Sequence, residues 1–593
     1  MAWSDIVNSQ QRASIEASGH CSVVAGPGTG KTRTLLARAV QLIEDEVAPA
    51  AAIRIVNFTN AGVRDLQRKV LEVEDYDAVS HQNITTFHSL ALRVLRVVNA
   101  TTVPSPLLIL DDWEERTFID RFATDRLDLK NIRNATSMRI DYNSRWCMAR
   151  VEIDDWLAEK SRRQYEGVYQ EAKELLGFTT RGELTFLWWR YLRSLPGKPD
   201  AESVGFRADF LLVDEYQDLN ECEHEVLERL AEAGMIIFAV GDPNQCIYET
   251  LRHAHPQFCW DFPQRLPDAE LHVLERSYRC PKAVLRYASA LLGDNDGLPD
   301  IESSRVEGEA HVLSFPAHDG EASGLALLAK HLIDKDPSAR VLFAVPTKAM
   351  ASIFEVQLSA IEVDVENRTK RDEEYSLECR MARSLLRLLR EPRDSVAAAT
   401  AIILSCARTT RPKRVLELLA LAHERGEKVA VLLAGNVDPS GPLEKALVAV
   451  RDALESLRAA DDVTEKLREI TGCDDIVGEP EALEEKLERL LDDPAALDSG
   501  KVTIMTLHGS KGLEAEWVIL PAVEPGFYER DEVGARKEER RRLLFVGMTR
   551  ALSGTFLTFA RRRYGPDVTV TRLVRLPERA HLHLSMISAT GWI

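Results

Sequence analysis

No stretch of this chain approaches the roughly 20 consecutive apolar residues that a membrane-spanning helix needs. The opening Met1-Ala2-Trp3-Ser4-Asp5 has no basic stretch followed by an apolar run, so it does not read as a secretory leader. The expected location is the cytoplasm, with no membrane partner. A cysteine framework is missing too. The nine cysteines (Cys21, Cys147, Cys222, Cys246, Cys259, Cys280, Cys379, Cys406 and Cys473) are scattered, odd in number, and never form a CxxC pair. This argues against a disulfide scaffold and against zinc or iron–sulfur sites. Positive charge is not in excess: 75 Lys and Arg stand against 94 Asp and Glu, a formal net charge of −19. A protein that attracted phosphate chains over its whole surface would have the opposite balance. Any nucleic-acid contact must therefore lie in a locally lined channel. Part of the acid excess falls between 451 and 499, in "RDALESLRAADDVTEKLREI" and "EALEEKLERLLDD". These segments are expected to be solvated helix faces.

What is present is size and a phosphate-binding signature. At roughly 150 residues per domain, 593 residues suggest about four domains. Residues 20–32 read "HCSVVAGPGTGKT": a short apolar strand, a glycine-rich turn, then Lys31-Thr32. This is the phosphate-loop pattern, with Ala25 where its first glycine usually stands. Gly28 and Gly30 let the backbone turn so that successive N–H groups face an anion. A helix over about Thr32 to Ile43 would present its positive end to the same anion. Lys31 is suited to the β- and γ-phosphates of ATP and the Thr32 hydroxyl to Mg²⁺. Gly28, Thr29, Gly30, Lys31, Thr32 and Arg33 are the candidate nucleotide-binding residues here.

An acidic pair follows another apolar strand, in "FLLVDEYQD" from Phe210 to Asp218. In a parallel sheet, ligands gather at the carboxyl ends of strands. Asp214 is thus a candidate metal ligand together with Thr32. Glu215 is a candidate base for the attacking water. A third strand, "MIIFAV" at 235–240, ends in Gly241-Asp242-Pro243-Asn244-Gln245, where Gln245 is placed to sense a γ-phosphate.

Together with further segments, these residues resemble the UvrD/Rep/PcrA family of superfamily 1 DNA helicases. "VNSQQR", "NFTNAGVRDL" (57–66), "TTFHSLALRVLR" (85–96), "DEYQD", "GDPNQCIY", "LERSYR", "VTIMTLHGSKGLEAEWVILP" (502–521) and "RRLLFVGMTRA" (541–551) carry the resemblance, which covers both ends of the chain. It implies that Gln11 reads adenine, Tyr278 stacks on it and Glu514 holds the ribose. It implies that Arg279 and Arg550 reach the γ-phosphate from the far side of a cleft. Phe58, Thr59, Asn60, His88, Tyr248 and His508 look like contacts to the DNA strand; for Phe58 and Phe87, core packing is an equal alternative. The implied activity is ATP-dependent, 3′-to-5′ movement on single-stranded DNA with strand separation. The alternative is a DNA-stimulated translocase that strips bound proteins or works inside a larger complex. The implied partners are single-stranded DNA and duplex junctions, with protein partners open to the helical inserts. A monomer or weak homodimer is expected.

Three departures from the family pattern stand out. The segment after Tyr248 normally continues with an aromatic, an arginine and a glycine, but reads Glu249-Thr250-Leu251-Arg252-His253. Thr250 is the position at which an aromatic would be expected to restore base stacking, unless Phe258 or Trp260 substitutes. Ala61 stands where a lysine is usual, and Ser277 where asparagine precedes Tyr-Arg.

The expected fold is α/β: two RecA-like P-loop NTPase lobes with parallel sheets, each interrupted by a mostly helical insert. The first lobe is assigned to 1–92 and 200–280, with an insert at 93–199. The second is assigned to 281–362 and 499–593, with a compact insert at 363–498. "VLFAV" (341–345), "VTIMTL" (502–507), "WVILPAV" (517–523) and "TFLTFA" (555–560) are the expected strands of the second sheet. Trp188, Trp189 and Tyr191 are expected in the core of the first insert. The run "RRR" at 561–563 is either a phosphate contact or a solvated basic patch.

Overall fold

The computed structural model describes residues 7–72, 79–98, 107–149, 159–200, 203–292, 301–369, 373–435, 440–473, 497–524, 527 and 535–563. Two six-stranded parallel sheets organise it. The first uses β1 (Cys21–Ala25), β2 (Ile53–Asn57), β3 (Ile84–Thr86), β4 (Phe210–Val213), β5 (Ile236–Gly241) and β6 (Glu270–Leu274), in the order β3-β2-β4-β5-β1-β6. The second uses β7 (Glu309–Ala317), β8 (Val341–Val345), β9 (Val365–Asn367), β10 (Val502–Thr506), β11 (Ala515–Leu520) and β12 (Ala551–Arg562), in the order β7-β12-β11-β8-β10-β9. Both are RecA-like lobes.

Alternation along the strands explains why both sheets are covered on both faces. In the first, Val24, Val56, Leu211, Val213, Ile237 and Ala239 point into one apolar core, while Val23, Ala25, Ile55, Leu212, Phe238 and Val240 point into another. The second sheet divides likewise: Leu342, Ala344, Val518 and Leu520 pack on one side, and Val341, Phe343, Val345, Ile504 and Ile519 on the other. A strand buried on both faces reads as a near-continuous apolar run, and these central runs do, with Ser22 and Thr503 as buried polar exceptions. The carboxyl ends of β1, β4 and β5 lie side by side, which brings the three expected nucleotide-site segments to one edge.

The first insert contains helices Ile132–Cys147, Lys160–Leu176 and Arg181–Ser194, and a helical run from Asp112 to Arg126 with a π-helical stretch at Glu115–Asp120. It is not purely helical: Leu108–Ile109 and Phe178–Thr179 form a two-residue parallel pair. Trp188 and Trp189 are buried as expected, and the half-buried Tyr191 donates its hydroxyl to the Ser203 carbonyl at 2.6 Å. The second insert contains helices Glu373–Arg390, Ser395–Leu404, Arg411–Arg425, Val429–Ala434, Pro442–Arg458 and Val463–Thr471. Its expected helix "PEALEEKLERLL" lies outside the described residues. Asp452, Glu455, Glu465 and Glu469 are exposed, as solvated faces require.

The two inserts pack on each other. Helix Arg411–Arg425 lies against Arg121–Arg126 and Lys160–Leu176, and one apolar core runs through both inserts. Ion pairs seal the contact. Asp111 accepts from Arg380 and lies 3.5 Å from Arg383, while the buried Glu114 lies 3.5 Å from Arg387. No helix among the described residues is long and apolar enough to cross a membrane.

Candidate nucleotide cleft and strand channel

The phosphate loop joins β1 to the helix Lys31–Glu44. Gly28 and Gly30 have φ of +71° and +92°, a region that L side chains adopt only with strain. Space is closed as well: a Cβ at Gly28 would lie 2.4 Å from the Arg279 Cβ, and one at Gly30 2.4 Å from Gln11 Nε2. Thr29 donates its hydroxyl to the Gly26 carbonyl at 2.9 Å, which tightens the turn. Lys31 Nζ donates to the carbonyls of Ala25 at 3.3 Å and Gly26 at 3.2 Å, and lies 3.7 Å from Asp242. Thr32 is half-buried at the start of the helix, and Arg33 is exposed beside it.

One rim of the loop is built by two distant segments. Gln11 is buried; its Oε1 accepts from Asn8 N at 2.9 Å and its Nε2 donates to the Thr29 carbonyl at 3.1 Å. Tyr278 keeps its ring 42% exposed, accepts from Asn8 Nδ2 at 2.7 Å, and donates its backbone N–H to the Gly28 carbonyl at 2.8 Å. Ser277 replaces the usual asparagine without losing a tie to the loop: its hydroxyl donates to the Pro27 carbonyl at 2.8 Å.

The acidic pair emerges at the end of β4. Asp214 is buried and accepts from Asn57 Nδ2 and from the Glu215 N–H, each at 3.0 Å. Burial and the neighbouring Glu215 charge push its carboxyl above the usual range. Burial acts on Glu215 in the same direction, but Lys511, Lys31, the Gln217 amide and Arg550 outweigh it and hold that carboxyl below its usual range. Glu215 adopts a left-handed φ of +53°, a strained geometry for a non-glycine residue. After β5, Gln245 donates to Asp242 at 2.6 Å.

The second lobe closes on this edge. Arg550 follows the helix Ala535–Met548, is buried, and donates to Gln245 Oε1 at 2.8 Å. Burial and the neighbouring Arg279 pull its guanidinium down to about 10. Arg279 pairs with Glu514 at 2.8 Å. These two arginines, Glu514 and Gln245 thus meet where the lobes touch.

Beside the cleft, Phe58, Tyr248 and His508 form a wall. The Phe58 and Tyr248 ring centroids are 5.2 Å apart, and the exposed His508 ring lies 6.5 Å from Tyr248. Thr59 lies at the head of the helix Asn60–Glu72, its N–H bound to Asn57 and its hydroxyl accepting from Gly62 N; Asn60 is exposed next to it. His88 lies 4.0 Å from the buried Glu223 carboxylate, and burial holds its imidazole well below the usual value. Phe58 and Phe87 part company: Phe58 is half-buried in the wall, whereas Phe87 is buried against Trp188 with centroids 5.4 Å apart.

The segment after Tyr248 corrects the expectation for Thr250. Its backbone N–H and hydroxyl donate to Glu539 of the second lobe at 2.6 and 2.9 Å, so the side chain belongs to the lobe contact. Leu251 is the exposed apolar residue, at 51%, and His253 takes a left-handed φ of +56° where a glycine would be unstrained. The aromatic–arginine–glycine series therefore maps onto Leu251-Arg252-His253. Arg252 stacks over Phe58 at 4.3 Å and pairs with Glu223 at 2.8 Å. Phe258 packs on His224 and Arg265, and Trp260 packs on the same core. In the "RRR" run, Arg561 and Arg562 are exposed, but Arg563 is a buried partner of Glu321 and Glu524.

Several residues of the cleft were not singled out from sequence. Lys511 donates to Asp218 and lies 3.5 Å from Glu215 Oε2. Asp242 anchors Gln245, and Arg542 reaches across to the Cys246 carbonyl at 2.6 Å and to Glu249. All three stand inside or beside strongly patterned segments, which was the available signal. Among the described residues, no three or more His, Cys, Asp or Glu side chains gather as a metal site. A single carboxylate and a hydroxyl fit Mg²⁺, which keeps water and substrate phosphates as its other ligands.

Comparison with known proteins gives a consistent result. A model of the UvrD/REP helicase N-terminal domain matches residues 7–267, and one of the UvrD-like helicase C-terminal domain matches 442–562. An ATP-dependent DNA helicase PcrA from Leuconostoc citreum is 24% identical, covering 94% of this chain and 82% of the relative. DNA helicase II of Escherichia coli K12 is 25% identical over 95% of this chain and 86% of its own length. The ATP-dependent DNA helicase Rep of Buchnera aphidicola is 23% identical over 93% and 91%.

Proposed function

Because this chain belongs to the UvrD/Rep/PcrA family of superfamily 1 DNA helicases, and is by that membership a helicase-type ATPase acting on nucleic acid, we propose that it hydrolyses ATP between its lobes to move 3′-to-5′ along single-stranded DNA and separate duplexes. The observation that carries the proposal is the hydrogen bond of Arg550, from the second lobe, to Gln245 of the first. A charge supplied by a separate lobe makes hydrolysis depend on closure, and closure is the motion a motor needs.

In this reading Lys31 and the N–H groups of Gly28, Thr29, Gly30 and Lys31 hold the phosphates of ATP. Thr32 and Asp214 would hold Mg²⁺, which when bound neutralises phosphate charge. Gln11 and Tyr278 frame the adenine. Glu514 serves the ribose, and Arg33 lies beside the phosphates. Glu215 accepts a proton from the attacking water and Gln245 orients that water. Arg279 and Arg550 stabilise charge developing on the transferred group; a planar guanidinium can hold two oxygens at once. Phe58, Thr59, Asn60, His88, Tyr248 and His508 face the strand. The proposed pathways are DNA repair, replication restart or recombination, in the cytoplasm, with the chain a monomer or weak homodimer.

One observation favours the second reading, a strand-stimulated translocase with little autonomous unwinding, acting on bound proteins or within a larger assembly. Leu251 stands in the place of the stacking aromatic, and such platforms are worth roughly 1–3 kcal/mol per base. ATP turnover with and without single-stranded DNA, followed by strand displacement on 3′- and 5′-tailed duplexes, separates the two readings. Strand-stimulated turnover with displacement of 3′-tailed duplexes is expected. Stimulated turnover without displacement would select the translocase. Lys31→Ala should reduce stimulated turnover to background while leaving the fold intact; near-normal turnover in that variant would remove the nucleotide site assigned here.

A further inference from the structure

The ammonium of Lys511 stands where the acidic pair, the glutamine and the strand wall meet. Lys511 follows the short turn His508–Ser510 of the second lobe, yet its side chain ends in the first. It donates to the Asp218 carboxylate and, at 3.1 Å, to the Gln245 carbonyl, and lies 3.5 Å from Glu215 Oε2. Only a tenth of the side chain is exposed. Its other side faces the Tyr248 ring, 5.4 Å from the centroid, and Tyr248 is the middle of the wall formed with Phe58 and His508. A lysine that only neutralised buried Asp218 would need none of these additional contacts.

We propose that Lys511 is the positioning residue through which strand binding governs Glu215, holding that carboxylate while the wall is undisturbed and yielding it when a strand engages Tyr248 and His508. The inference rests on the strand-stimulated turnover proposed above. While the ammonium stands beside Glu215 Oε2, to which the Gln217 amide also donates, that oxygen is not open to the attacking water. A strand at the wall brings phosphate charge toward the same ammonium and displaces the ring that faces it. Either event loosens Lys511 from Glu215. The contact thus suppresses turnover without DNA.

The test measures kcat and KM for ATP, with and without oligothymidylate, in the wild type and in Lys511→Met, Lys511→Arg and Lys511→Met/Asp218→Asn. The double variant removes the unpaired buried carboxylate that the single one leaves, so a folding defect in Lys511→Met does not decide the matter. In Lys511→Met and the double variant, the stimulation ratio should fall roughly tenfold, the scale of one net polar contact. The fall should come through a higher strand-free kcat, with KM changed by less than about twofold. Lys511→Arg, which keeps the charge, should retain most of the ratio. An unchanged ratio in both methionine variants, or equal losses with and without the strand, would overturn the inference alone. A wild type indifferent to the strand would overturn the proposed function and this inference together.

Discussion

Leu251 and Thr250 are neighbours with separate tasks, and the backbone decides which is which. Leu251 is half-exposed, while Thr250 is bound through two hydrogen bonds to Glu539. Leu251→Trp should therefore tighten single-stranded DNA binding by about fivefold to 150-fold, the range for adding one stacking contact. Thr250→Trp should give no such gain, because it breaks the contact to Glu539. A competition titration with unlabelled oligonucleotide checks both; equal affinities for wild type and Leu251→Trp would remove Leu251 from the strand path. At this scale, local pattern carried what a local pattern can. The loop "AGPGTGKT" and the pair Asp214-Glu215 were legible because strand, turn and residue type are contiguous in the chain. Lys511 and Arg542 were not, because their partners are about 300 residues away and only the packing of two lobes brings them together.

The strands divide in the same way. β1, β4, β5, β8, β10, β11 and the core of β12 are apolar at nearly every position because both faces are covered, and such runs are visible without alignment. The edges were missed. β7 carries Pro316 and a mixed burial pattern, and β9 has only three residues, none fully buried. An edge strand has one partner and one half-covered face, so its composition blurs into that of a loop. The insert helices were legible by their three–four spacing, but nothing in that spacing says that the inserts share a core. The buried ion pairs at their contact make this testable. Arg387 donates to Asp394 through two nitrogens and lies 3.5 Å from Glu114. Arg387→Met strands both carboxylates and should cost about 3 kcal/mol, the usual consequence of breaking a buried pair. Denaturation followed by tryptophan fluorescence suits this test, since Trp113, Trp146, Trp188 and Trp189 all lie in the first insert. A loss below about 0.5 kcal/mol would show that the contact is as weak as a surface pair.

At the scale of the whole molecule, segments of both lobes meet at one cleft in a chain of net charge −19. Within the cleft, cations come from both lobes: Lys31 from one side, Lys511, Arg542 and Arg550 from the other, and Arg279 at the junction, against Gly28 and paired with Glu514. In the proposed function, this shared site hydrolyses ATP only when the second lobe delivers Arg550. Turnover by Arg550→Ala and Arg550→Lys at saturating single-stranded DNA tests it most directly, with nucleotide affinity measured alongside. Both variants should bind ATP with modest loss and turn it over roughly 10³-fold more slowly, the scale of a missing arginine finger; lysine should rescue little because it lacks the planar fork. Normal turnover in Arg550→Ala, whatever happens to strand separation, would overturn the proposed catalytic role and make Arg550 a coupling or strand-contact residue instead.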